Sequence, residues 1–149
     1  LPYFINAYLP DSLAQYTQVR YQRHDNGARH IRRVHATCPD SMLAPALAAL
    51  EELYGCRATT SGNDIFVIQR GEVALDLATE GSFAARFGAA ADAGATTGQP
   101  RLAGLTIEVA DLPHIKALLA KNGVPATQRR GALVVGPEHA AGMMLEFTA

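Results

Sequence analysis

The chain has 149 residues, 48% of them hydrophobic, which is enough for one well-buried core or for two small modules that share one. A formal net charge of -1 gives no electrostatic reason to expect nucleic acid or an anionic membrane as partner. Apolar runs are interrupted every few residues, so the sequence contains no transmembrane span and no secretory signal core.

Residues 1–8, LPYFINAY, predict a strand or extended arm that Pro10 and Asp11 stop. An apolar, aromatic opening without Met reads as a strand belonging to something, whether a longer chain or a docking partner. Residues 11–29 are polar, anchored only by Tyr16 and Tyr21, and HDNGA at 24–28 is a turn signal because Asn-Gly supplies positive φ cheaply. The basic residues clustered between Arg20 and Arg33, with His24 and His30 among them, read as a solvated connector. Residues 1–28 are therefore taken as an N-terminal arm and connector.

HIRRVHATC, residues 30–38, alternates as a strand and ends at Pro39 and Asp40. Asp40 or Ser41 then caps a helix in which Leu43, Leu47, Leu50 and Leu53 fall at helical spacing. Pro45 is early enough to be tolerated in the first turn, and Gly55 suits the position just past the helix end. Strands follow around Arg57–Thr60 and Ile65–Arg70, with SGND between them. A further strand over Glu72–Thr79 carries Asp76 alone among aliphatics. Residues 81–100, rich in Ala, Gly and Thr, predict a linker that begins as a short helix bearing Phe83 and Phe87. GAAADAGATTG within it lacks the Lys of a phosphate-binding loop.

The last third repeats this order. A strand stops at Asp111, a helix stops at Gly123, a hairpin carries Gly131, and the final strand MMLEF holds the lone carboxylate Glu146. RRVHATCPD aligns with AGLTIEVAD at an offset of 71, and VALDLA aligns with MMLEFT at 70, which pairs Asp76 with Glu146. Four landmarks in one order at one spacing indicate an internal duplication. The modules are 29–80 and 101–149, joined by the linker 81–100, and 29–149 form one domain. Cys38 and Cys56, with seventeen residues between them, form no Cys-x-x-Cys motif and read as buried thiols of a reducing, cytoplasmic compartment; a disulfide between them stays open.

Each copy reads β-α-β-β-β, and two such copies can enclose a cavity between their bare faces. This arrangement resembles the vicinal oxygen chelate superfamily: glyoxalase I, bleomycin-resistance proteins and extradiol dioxygenases. DLPHIKALLAKNGV followed by GMMLEF is similar to that superfamily's helix and closing strand, and the resemblance covers roughly residues 29–149. It implies an α+β fold in which two βαβββ modules pair into a curved, cup-shaped mixed sheet with helices outside. LPYFI followed by HDNGA resembles a junction between paired-module domains of larger glyoxalase-like proteins, which implies the C-terminal part of a longer protein. The unpaired apolar strand LPYFINAY is a liability by itself, which predicts a homodimer or docking to an upstream domain of that kind.

Strand alternation is an independent check. Val34, Ala36 and Cys38 match Leu105, Ile107 and Val109 as an apolar row; Arg33, His35 and Thr37 match Gly104, Thr106 and Glu108 as the opposite, polar row. Asp76 and Glu146 share that polar side, which predicts a polar cup for a small molecule with Arg33, His35, Thr37, Thr106 and Glu108 as ligand-binding residues.

In metal-using members of the superfamily, a His or Gln of the first strand and a Glu of the closing strand hold a divalent ion. Carried onto this chain, Glu146 matches the closing-strand Glu and Asp76 its twin, as ligand or catalytic base, but Arg33 and Gly104 stand at the first-strand positions and cannot ligate. His35 is two residues further along the same face, so a set of His35, Asp76 and Glu146 for Mn, Fe, Mg or Zn is one expectation. The other is a metal-free cup in which Arg33 pairs with Asp76 or Glu146 and leaves a pocket for an anionic or polar ligand. His114, in a first helical turn, and His139, in PEHAAG, belong to neither set. The functions that follow are a metal-dependent lyase, isomerase or dioxygenase; a metal-free binding module of the bleomycin-resistance kind; or a non-catalytic structural half of a larger protein.

Overall fold

A computed structural model describes residues 26–62, 64–69, 71–88 and 98–149. The arm predicted over 1–8, most of the connector and the middle of the linker lie outside them. In chain order the elements are β1 (Ala28–Cys38), α1 (Asp40–Tyr54), β2 (Thr59–Thr60), β3 (Ile65–Gln69), β4 (Ala74–Thr79) and α2 (Glu80–Phe87). They continue with β5 (Arg101–Val109), α3 (Leu112–Lys121), β6 (Thr127–Arg129), β7 (Ala132–Val135), a 3-10 turn at Pro137–His139 and β8 (Met144–Thr148).

The strands form a single mixed sheet of eight in the order β2-β3-β4-β1-β5-β8-β7-β6. The two repeats are mirror sequences of strands about the antiparallel pair β1–β5, and within each repeat the first and last strands run parallel. His35 stands beside Asp76 on β1 and β4, and Thr106 stands beside Glu146 on β5 and β8. The registers of the two halves therefore repeat the sequence alignment residue for residue. Ile65 of β3 and Val134 of β7, from opposite halves of the sheet, meet in one apolar cluster, so the sheet curls into a cup.

Local chemistry sets the element boundaries. Asn26 Oδ1 accepts the Ala28 amide, and Gly27 takes φ 69°, which turns the chain into β1. Helix α3 starts at Asp111, whose carboxylate accepts the His114 amide at 3.1 Å. Helix α1 starts without a side-chain cap: its N-cap is Pro39, and Asp40 lies inside the first turn, favourably placed toward the positive helix end. Pro45 lies a turn deeper than expected and removes one i to i−4 hydrogen bond without ending the helix. Gly55 closes α1 in the left-handed region at φ 62°.

The back of the sheet is packed unequally. Under α3, Ile115 meets Val109, Leu133, Val135 and Phe147 in a closed cluster. Helix α1 buries no residue completely, and Leu53, expected on its apolar stripe, is 75% exposed. Helix α2 departs from an arrangement with every helix outside. Thr79 caps α2 by accepting the Ser82 amide, and α2 crosses onto the cup side. There Phe83 and Phe87 are buried with Ala78, Met144 and Val134. Burial of two phenylalanines is worth several kcal/mol, at ~1.5–3 kcal/mol each, and explains why the linker begins as a helix. Both cysteines are free; Cys38 is buried and Cys56 half-buried. Burial raises the Cys38 thiol pKa, with Asp40 and Glu80 adding to it, so Cys38 is a poor nucleophile. No helix among the described residues is long and apolar enough to cross a membrane.

Candidate functional site

The polar row lies on the concave face, where it condenses into one hydrogen-bonded chain. Asp76, on β4 and 2% exposed, is its fixed point. Arg33 Nη1 donates to Asp76 Oδ1 at 2.8 Å, Arg86 Nη1 reaches Oδ2 at 3.4 Å, and His35 Nδ1 lies 3.3 Å from Oδ2. His35 Nε2 lies 2.7 Å from Thr106 Oγ1, and that hydroxyl donates to Glu146 Oε2 at 2.6 Å. The imidazole packs against the mutually touching rings of Phe83 and Phe87, with centroids 6.2 and 5.0 Å away. Helix α2 thus supplies both the apolar wall that holds His35 and, through Arg86, a second cation for Asp76.

Burial alone raises the pKa of the Asp76 carboxyl. The hydrogen bond and charge of His35, together with Arg33, outweigh that effect and hold it below the ordinary carboxylate range. Asp76 is therefore an anion contacted from three sides, by Arg33, Arg86 and His35.

Over this chain opens a cavity of about 510 Å3. Arg33, Thr106, Glu108 and Glu146 line it, as the alternation predicts. His35 and Thr37 are fully buried and, like Asp76, are not part of its lining. His35 instead lies behind Thr106, which does line the cavity, while the Thr37 hydroxyl has no hydrogen-bond partner among the described residues. Glu108 is gathered by Arg32 at 3.0 Å, His30 at 3.3 Å and Arg29 at 3.6 Å. Those basic residues belong to β1, not to a solvated connector.

Sequence alternation missed four arginines of the lining: Arg32, Arg86, Arg129 and Arg130. Arg32 is assigned to the opposite face by simple alternation. In the sheet, Ile31 pairs with Ile107 and Arg33 with its neighbour Thr106, so Arg32 is the extra residue of a bulge. Arg86 follows Phe83 by three residues, and the helical spacing of this pair is the signal that could have found it. Arg129 and Arg130 belong to the β6–β7 hairpin, whose approach to the cup depends on the curl of the sheet.

The expected metal set does not fit this arrangement. Both oxygens of Asp76 are held by guanidinium groups or imidazole, and both nitrogens of His35 have partners. The space left by Gly104 is filled by Met144: a Cβ on Gly104 would stand 2.8 Å from Met144 Cε and 2.7 Å from its carbonyl oxygen. Among the described residues no three His, Cys, Asp or Glu side chains are grouped to hold a metal ion.

The sequence matches no protein-family model, and no curated protein matches it. Solved structures do. Methylmalonyl-CoA epimerase from Mycobacterium tuberculosis superposes with a TM-score of 0.53 at 16% identity, over 88% of this chain and 95% of that one. A methylmalonyl-CoA epimerase in complex with methylmalonyl-CoA and NH4+ gives 0.53 at 18% identity, over 78% and 91%. A hypothetical protein from Bacillus halodurans C-125 gives 0.54 at 17% identity, over 79% and 91%. Together with the paired βαβββ registers, these likenesses show that the chain shares the fold of the methylmalonyl-CoA epimerase structures.

Proposed function

We propose that this domain binds a small anionic molecule in its arginine-lined cup without a metal. One observation carries the reading: the donor atoms that would serve a metal are consumed by Arg33, Arg86 and Thr106, while five arginines line the cavity. Guanidinium groups recognise carboxylate and phosphate through paired hydrogen bonds, and a partly enclosed site strengthens that attraction. A solved structure of this fold holds methylmalonyl-CoA, itself an anion, and ligands of that sign suit this lining. Arg33 and Thr106 contact the ligand in this reading, and His35 and Asp76 position them. Calorimetric titration with malonate tests it. Saturable binding that EDTA leaves unchanged, and that Arg33→Ala weakens, supports the reading; binding abolished by EDTA and restored by a divalent ion overturns it.

A second reading, that the site is catalytic, is favoured by Glu146. Its carboxylate faces the cavity and is oriented by the Thr106 hydroxyl, the arrangement a general base requires. Glu146 would take a proton from a carbon beside a carbonyl, and the electron pair would move to the carbonyl oxygen next to a guanidinium. Collapse of that enolate with a proton delivered from solvent to the opposite face of the carbon would complete an epimerisation. Deuterium exchange into methylmalonyl-CoA in heavy water, lost in Glu146→Gln, supports this activity. If malonate binds but no exchange occurs, the domain is a binding module.

A further inference from the structure

We propose, resting on the anion-binding reading, that the ligand carries a phosphate monoester at the mouth of the cup, held by Arg129 and Arg130. The five lining arginines fall into two groups. Arg33 and Arg86 are committed to Asp76, and Arg32 to Glu108. Arg129 and Arg130 line the same cavity, are exposed at its rim, and have no ion-pair partner among the described residues. Two adjacent cations call for a group with more than one negative charge. A phosphate monoester offers nearly two charges and three acceptor oxygens, whereas a carboxylate offers one charge and two oxygens.

Backbone geometry points the same way. Arg130 and Gly131 form the two-residue loop between β6 and β7, with φ 48° and 84°, the pattern of a type I′ turn. The first position of that turn favours Asn, Asp or Gly, and an arginine there is disfavoured. The hairpin thus holds a cation where the turn alone would select another residue. Arg129 reaches across from β6 to the end of α2, where Gly88 makes room for it. A Cβ on Gly88 would stand 3.0 Å from Arg129 Nη2. Arg129 and Arg130 form the outer wall of a cup whose inner wall is Thr106, Glu146 and Arg33.

The test is calorimetric titration of the full chain with three probes at one ionic strength: 3-phosphoglycerate, with a phosphate at one end and a carboxylate at the other; malonate; and inorganic phosphate. We expect 3-phosphoglycerate to bind at least ~10-fold more tightly than either of the others, since a second charge-assisted contact is worth about one decade or more. Arg130→Asn should weaken 3-phosphoglycerate about tenfold, leave malonate within about twofold, and raise the thermal midpoint by restoring Asn-Gly to the turn. Arg129→Gln gives the same affinity readout without touching the turn. Malonate binding that equals or exceeds 3-phosphoglycerate binding overturns the proposal and leaves the anion-binding cup standing, as does an unchanged 3-phosphoglycerate affinity in both variants. Failure of all three probes to bind overturns both.

Discussion

His35 Nε2 and Thr106 Oγ1 lie 2.7 Å apart, and the two residues occupy the same position of the two repeats, 71 residues apart in sequence. The contact is the seam of the molecule. It joins the Arg33–Asp76–His35 side of the first repeat to the Thr106–Glu146 side of the second, so that one hydrogen-bonded chain crosses the centre of the sheet.

Thr106→Val keeps the shape of the side chain and removes its hydroxyl. His35 Nε2 and Glu146 Oε2 then both lose a partner, and a destabilisation of ~1–3 kcal/mol is expected in urea denaturation. Thr106→Ser, which restores the hydroxyl, should recover at least half of that loss. Equal stability of Thr106→Val and the parent chain would show that the seam contributes nothing.

Asp76 sets the acid limb of the stability profile. A carboxyl held below its unfolded range stabilises the fold at pH values above that range and gives the contribution up as pH falls toward the folded value. The parent chain should therefore lose stability progressively below about pH 4. Asp76→Asn should be less stable near neutrality, by ~2–4 kcal/mol because the partner arginines are partly exposed, and should lack this part of the acid slope. Denaturation midpoints between pH 2 and 7 measure both, and parallel profiles for the two proteins count against the assignment.

Gly104→Ala brings a methyl group against the Met144 carbonyl and thioether methyl, at 2.7 and 2.8 Å. The carbonyl is backbone of the adjacent parallel strand, so the β5–β8 pair must separate locally. A destabilisation of ~1–3 kcal/mol is expected, within the range for overpacked cores. Met144→Ala in the same chain should relieve only the side-chain part of the clash.

Phe83→Ala removes the largest fully buried side chain of the cup and one wall of the His35 site. A loss of ~3–5 kcal/mol is expected for a buried phenylalanine. Malonate affinity should fall as well, because the imidazole that carries Thr106 is no longer confined. Phe83→Leu, which refills most of the volume, separates packing from ring contact.

The repeated strand registers and the polar face were legible because strand alternation and glycine-ended helices leave periodic traces. Thr106 beside Glu146, and His35 beside Asp76, follow directly from aligning the repeats. Less legible was whatever depends on three-dimensional closure. The bulge at Arg32 breaks alternation without a residue type that signals it. Gly104 reads as open space, yet Met144 on the neighbouring strand fills it. Phe83 and Phe87 were visible as one helical turn, but not the side of the sheet they cover, because either face offered an apolar patch. Arg129 and Arg130 belong to the cavity only through the curl that brings an edge hairpin back toward the centre.

Helix α2 has no counterpart in the second half of the chain, and its insertion on one side of the cup removes the approximate twofold symmetry there. Phe87 and Arg86 of this helix join the strand residues Ala132 and Val134 in the cavity lining. The two halves of the cavity wall are therefore inequivalent, although the strands that frame it are duplicated.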